Sequence, residues 1–100
     1  MLFRSVHPEA TFAVRVSGDS MIGAGLFPGV IAVVDRALTA RDRSVVLAIL
    51  DGDFTIKRYR QRGEERWLEA DNAAYAPIAL TEAMAFEVWG VVRRGIRMLA

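Results

Sequence analysis

The 100-residue chain has no cysteine, one histidine and one lysine. Without cysteine there can be no disulfide, no thiolate nucleophile and no cysteine-ligated metal. His7 alone cannot furnish a zinc site that needs a second histidine. Long apolar runs are missing too. The longest, such as Val45 to Leu50, span about six residues, far short of the roughly 20 that cross a bilayer. Met1-Leu2-Phe3-Arg4 does not open a secretory signal, because Arg4, His7 and Glu9 break any apolar core. The expectation is a soluble, cytoplasmic protein without membrane association. Charge of one sign is not in excess, with 13 basic against 12 acidic residues and a net charge of +1. Arg58, Arg60, Arg62 and Arg66 come nearest to a phosphate-binding stripe, but Glu64 and Glu65 interrupt them. They read as the solvated face and tip of a hairpin, and no sequence-specific DNA binding is expected.

What is present suits one globular domain: 53% of residues are apolar and 25% charged. Phe12 to Val16 is strand-like and stops at the loop Ser17-Gly18-Asp19. Ser20 to Leu26 has room for at most a short helix, with Asp19 as N-cap and Pro28-Gly29 closing the region. Val30 to Val34 is apolar throughout, which implies cover on both faces. Val45–Leu50 and Phe54–Tyr59 flank Asp51-Gly52-Asp53, and Asp-Gly is a favoured type I′ pair, so a hairpin is expected with Asp51 and Asp53 as turn residues rather than a catalytic pair. A second hairpin returns through Arg62-Gly63-Glu64 into Arg66–Glu69. Phe86 to Val92 is a strong strand, followed by a weaker segment from Ile96 to Leu99. So apolar a strand requires cover, and homodimerisation through it and burial within the chain both provide that.

Glycines surround Ser20, yet Gly23-Ala24-Gly25-Leu26-Phe27-Pro28 has proline where a dinucleotide fingerprint needs glycine, and there is no Gly-Lys-Ser/Thr. No cofactor or metal is expected. There remains a serine in a glycine-bearing turn and, 37 positions later, the only lysine, Lys57, in mid-strand. A lysine can lose its proton on burial and act as a base, whereas a guanidinium stays charged. Lowering a lysine pKa by about three units corresponds to roughly 4 kcal/mol, within reach of desolvation. Alternation places Thr55 and Tyr59 on the face of Lys57. Ser20 as nucleophile and Lys57 as base is thus one reading, and a lone lysine on a solvated strand is the other.

Ser17-Gly18-Asp19-Ser20-Met21, the segment Asp51 to Arg58 and Asn72-Ala73-Ala74-Tyr75-Ala76-Pro77-Ile78 together resemble the LexA/UmuD family of self-cleaving serine peptidases, nearest to its UmuD branch. The resemblance runs from the Phe12 strand to Val92. It implies a mainly β fold of curled antiparallel sheets with at most one or two short helices, over residues 11–100, preceded by an N-terminal arm, 1–10. It also implies Ser20 as nucleophile, Lys57 as general base and the backbone amides of Asp19 and Ser20 as the oxyanion-binding pair. The Asn72–Ile78 segment is given a structural role only. The partners implied are a second copy in a homodimer, a Y-family DNA polymerase and the RecA filament.

Ala70 stands where family members often have proline, with local loop consequences expected. More consequentially, relatives carry an Ala-Gly or Cys-Gly bond upstream, and neither dipeptide occurs in the nineteen residues before Ser20. Ala24-Gly25 lies beyond the nucleophile. The chain is therefore expected to correspond to a processed or short form, acting as an accessory subunit of an error-prone polymerase in the DNA-damage response. The C-terminal domain of a LexA-like or phage repressor is the alternative. A signal peptidase, which also uses serine and lysine, is disfavoured by the lack of an anchor.

Overall fold

The computed structural model describes residues 2–4 and 10–97; His7 and most of the expected N-terminal arm lie outside the described residues. Eight strands form one antiparallel sheet: β1 (Leu2–Arg4), β2 (Thr11–Arg15), β3 (Ile31–Asp35), β4 (Val45–Leu50), β5 (Asp53–Arg62), β6 (Glu65–Glu69), β7 (Ile78–Ala79) and β8 (Phe86–Ile96), in the order β1-β2-β3-β8-β4-β5-β6-β7. The helical content among the described residues is one 3-10 turn, Ile22–Ala24. The mainly β expectation, with at most one or two short helices, is met. No described helix is long and apolar enough to cross a membrane.

Both hairpins form where turn chemistry places them. Leu50 pairs with Asp53, and Asp51 and Gly52 take φ of 49° and 89°, the positive values a type I′ turn requires at both centres. Asp51 also fastens this turn to the chain entering β8, donating from its N–H to Ala85 O at 2.8 Å and accepting from Ala85 N at 3.0 Å. The Asp51-Gly52 turn is thus structural.

The apolar β8 lies between β3 and β4, hydrogen-bonded along both edges. Both of its edges are paired within the chain, although only Gly90 along it is buried, and it runs on to Ile96; of the weaker segment expected from Ile96 to Leu99, Met98 and Leu99 lie outside the described residues. Against β4, Leu47 pairs with Gly90 but Ala48 with Val88, leaving Trp89 as an extra residue. Arg93 is the extra residue against β3. Two bulges in one strand bend the sheet, so it curls around two clusters. The first holds Val16, Met21, Leu26, Val30 and Ala32, with Val45 and Val92 packed on it. The second holds Val46, Ala48, Tyr59 and Leu68. β4 serves both by simple alternation of successive side chains.

The arginines of β5 are less solvated than their sequence suggests. Arg58 forms a two-pronged bond to Asp71, Nε–Oδ1 3.1 Å and Nη2–Oδ2 2.6 Å, and Arg60 reaches Asp42 and Glu69, each at 2.9 Å. Carboxylates from two separate segments, the loop at Asp42 and the stretch from Glu69 to Asp71, converge on one strand, which no local pattern reveals. Arg62 and Arg66 are exposed, as expected.

Candidate active site

The segment after β2 is closed at its base by Val16 N–H to Val30 O at 2.8 Å and Gly29 N–H to Val16 O at 2.9 Å. Within it, Gly18 has φ +77°, a conformation glycine takes without strain. Met21 is the anchor. It is 2% exposed in the first cluster, and its carbonyl accepts from Ala24 N and Leu26 N at 3.1 and 3.2 Å. Burying Met21 leaves the preceding Ser20 half-exposed at the surface.

Lys57, from β5, meets it there. Nζ lies 3.0 Å from Ser20 Oγ, 2.7 Å from Thr55 Oγ1 and 3.3 Å from Ile56 O. Among the described residues no carboxylate lies within ion-pairing distance of Lys57. Burial with no countercharge pulls its pKa below the ordinary lysine value. As an ammonium, the group has three donors for these three acceptors. As a neutral amine it retains two, for Thr55 and Ile56, and turns its lone pair toward the Ser20 hydroxyl, which then donates. The pair opens onto a cleft of about 190 Å3 whose walls include Val14, Val16, Leu47 and Phe54. The N–H groups of Asp19 and Ser20 donate to no acceptor among the described residues.

The expected Asp19 cap does not form. Met21 occupies the N-cap position of the 3-10 turn and makes no side-chain cap bond. Asp19 Oδ1 accepts instead from the Tyr75 hydroxyl, which raises the tyrosine pKa. A three-residue turn offers few free N–H groups to cap, and the neighbouring loop presents a better donor. That loop, to which the family resemblance gives a structural role only, sends its contacts to the serine turn. Asn72 Nδ2 donates to Asp19 O at 2.9 Å, Asp71 N donates to Met21 Sδ at 3.3 Å, and Gly23 N donates to Asp71 O at 2.8 Å. The motif Asn72-x-x-Tyr75 marks the segment in the sequence, but not what it touches.

At Gly23 the approach is close: a Cβ there would sit 2.6 Å from the Asp71 carbonyl oxygen. Alanine normally stabilises a helical position relative to glycine, yet Gly23→Ala is expected to cost about 1–3 kcal/mol through forced separation of the two loops. Gly18→Ala meets no atom within 4 Å and is charged only with backbone strain, about 1 kcal/mol. Thermal unfolding checks the pair, and an unchanged Tm for Gly23→Ala contradicts the close approach.

Fold and site together define a small all-β domain with a serine hydroxyl and a lysine amine facing each other at the mouth of a cleft. Residues 1–93 match the Peptidase S24-like family, and the chain belongs to that family, one of self-cleaving serine peptidases. It is 37% identical over 94 residues to the LexA repressors of Shewanella woodyi and Shewanella oneidensis, covering 89% of this chain and 46% of each relative. The LexA repressor of Shewanella loihica is 37% identical over 93 residues, 88% of this chain and 45% of the relative. The chain thus spans about half the length of the curated relatives it matches.

Proposed function

We propose that this chain is the self-cleavage and dimerisation domain of a LexA-like transcriptional repressor, with Ser20 as nucleophile and Lys57 as general base. The observation that carries the reading is the 3.0 Å contact between Lys57 Nζ and Ser20 Oγ, with the amine desolvated and unpaired by any carboxylate among the described residues. The repressor relatives, matched along most of this chain, support the rest.

In this mechanism neutral Lys57 takes the Ser20 proton as Oγ bonds to the scissile carbonyl carbon. The electron pair of the C=O bond moves to oxygen, which is held by the N–H groups of Asp19 and Ser20. Collapse breaks the C–N bond, Lys57 returns the proton to the leaving amine, and water releases the acyl group with Lys57 again as base. Within these residues no Ala-Gly or Cys-Gly bond precedes Ser20. An assay therefore takes its bond from a relative: LexA repressor of Shewanella oneidensis with its own nucleophile removed, incubated between neutral and alkaline pH and followed by mass spectrometry. A single cut, faster at alkaline pH, is expected, and an intact substrate across that range overturns the reading.

The UmuD-like reading, a homodimeric subunit that joins a Y-family polymerase and the RecA filament, is favoured by one observation, the combined resemblance at Ser17–Met21, Asp51–Arg58 and Asn72–Ile78. A pull-down with the polymerase of the same genome separates the two. Capture at micromolar concentration selects the polymerase subunit, and its failure leaves the repressor domain.

A further inference from the structure

The peptide joining Asp19 to Ser20 has a dual position. Its carbonyl oxygen accepts from Asn72 Nδ2 at 2.9 Å and from Ile22 N at 3.4 Å, while its N–H belongs to Ser20 and donates to nothing among the described residues. No peptide bond among the described residues is cis, and in a planar trans peptide C=O and N–H point in opposite directions. Fixing the carbonyl toward Asn72 therefore aims the Ser20 N–H away from Asn72. Ser20 lines the cleft, whereas Asp19 and Asn72 do not.

Asn72 is itself preset. Its Oδ1 accepts from Ala74 N at 2.9 Å and its own carbonyl from Tyr75 N at 3.1 Å, an Asx-type turn that leaves the Nδ2 group directed at Asp19. Asp71, one residue earlier, is locked to Arg58 by the two-pronged bond and to the serine loop through its carbonyl. The donor thus reaches Asp19 from a braced loop. The Tyr75 hydroxyl grips the Asp19 carboxylate separately and has no geometric hold on the peptide plane.

We propose that Asn72 is a positioning residue for oxyanion binding: by holding the Asp19 carbonyl it orients the Ser20 N–H toward the charge that develops in the cleft. The inference rests on Ser20 being the nucleophile. A turn free to rotate would let that N–H swing toward solvent, and a misaimed donor contributes to the transition state only in part of the population. Loss of a whole oxyanion donor costs about 10²–10³ in rate. Loss of its orientation alone is expected to cost about tenfold, because the rest of the loop remains anchored.

The test uses the 100-residue chain carrying Asn72→Ser. Serine accepts from the Ala74 N–H and so keeps the turn, adds no charge, and is too short to reach Asp19 O. Tyr75→Phe is the control. Two probes are used: nucleophile-less Shewanella oneidensis LexA repressor as substrate, and a peptide boronic acid, whose adduct with Ser20 places an oxygen where the oxyanion forms. For Asn72→Ser, kcat and boronate affinity are expected to fall together by about tenfold, with KM within twofold and the alkaline pH midpoint unmoved. Tyr75→Phe should leave kcat within about threefold. Unaltered kcat in Asn72→Ser overturns the proposal, as does a loss borne by KM or by a shifted pH midpoint, since either marks general disturbance of the loop. If the unaltered chain neither cleaves nor takes up the boronate, Ser20 as nucleophile has failed and this inference falls with it, a result distinct from full activity in Asn72→Ser.

Discussion

Lys57→Ala, Lys57→Arg and Ser20→Ala are each expected to lower cleavage of a relative supplied in trans by at least about 10³-fold, the scale on which removing a nucleophile or its base acts. Arginine is the informative replacement. It keeps positive charge and can still donate to Ser20 Oγ and Thr55 Oγ1, but it has no accessible neutral form to accept the serine proton. If Lys57 served only to hold the turn by a charged hydrogen bond, Lys57→Arg would retain much of the activity, and that outcome would sink the general-base assignment. The pH profile carries the same test. Burial lowers the Lys57 pKa, so the neutral fraction, and with it the rate, rises with pH and levels off above the lowered value. Each pH unit below it should cost about tenfold in the base form.

The same burial makes a stability prediction of definite sign. The folded state binds the Lys57 proton less tightly than the unfolded chain does, so the ammonium penalises folding wherever both states are protonated. Between the lowered folded value and the ordinary 10.5 the unfolded chain carries more protons, and the Lys57 contribution to stability therefore rises with pH. Lys57→Met removes this component, which Tm measured against pH for the two proteins resolves.

A second large effect is expected far from the cleft. Leu68 is fully buried in the second cluster, paired with Tyr59 on one side and Ile78 on the other. Leu68→Ala removes three carbons from a site held by strands on both edges, which limits collapse of the cavity. About 3 kcal/mol is the expected cost, against a total stability of roughly 5–15 kcal/mol for a small domain. At about 4–8 °C per kcal/mol, Tm should fall by some 12–24 °C. Because Leu68 does not line the cleft, the alkaline midpoint of cleavage, measured where the variant remains folded, should stay in place. A moved midpoint would mean that the second cluster sets the environment of Lys57.

Much of the strand content was legible because it rests on local chemistry. Asp51-Gly52 specifies its turn through the positive φ that both positions accept, and the alternation along β5 that puts Thr55 beside Lys57 needs no distant residue. β7 and the bulges at Trp89 and Arg93 were not legible. The two residues of β7 carry no periodicity, and a bulge is defined by the partner strand's register. The same limit hid the roles of Arg58 and Arg60, whose carboxylate partners come from 13 and 18 or 9 positions away, and misassigned Asp19, whose acceptor goes to Tyr75, 56 positions along. Among the relatives compared, the names are those of repressors, which favours the alternative given beside the UmuD branch over that branch itself. The motifs it rests on mark the shared fold and turn more than the protein that carries them.

By itself the sequence narrowed the available chemistry: with no cysteine, thiolate catalysis and cysteine-ligated metal were excluded, and a serine turn with a single lysine stood as one of two readings until the family resemblance favoured it. It also determined the hairpin that holds the lysine, since turn and strand preferences act over a few residues. Only the tertiary structure decided that residues 37 positions apart meet at 3.0 Å, that burial without a countercharge lowers the amine's pKa, and that Asn72 holds the peptide whose other end is the Ser20 N–H. Those are properties of packing, set by where the curled sheet brings separate loops together, and no local preference encodes them.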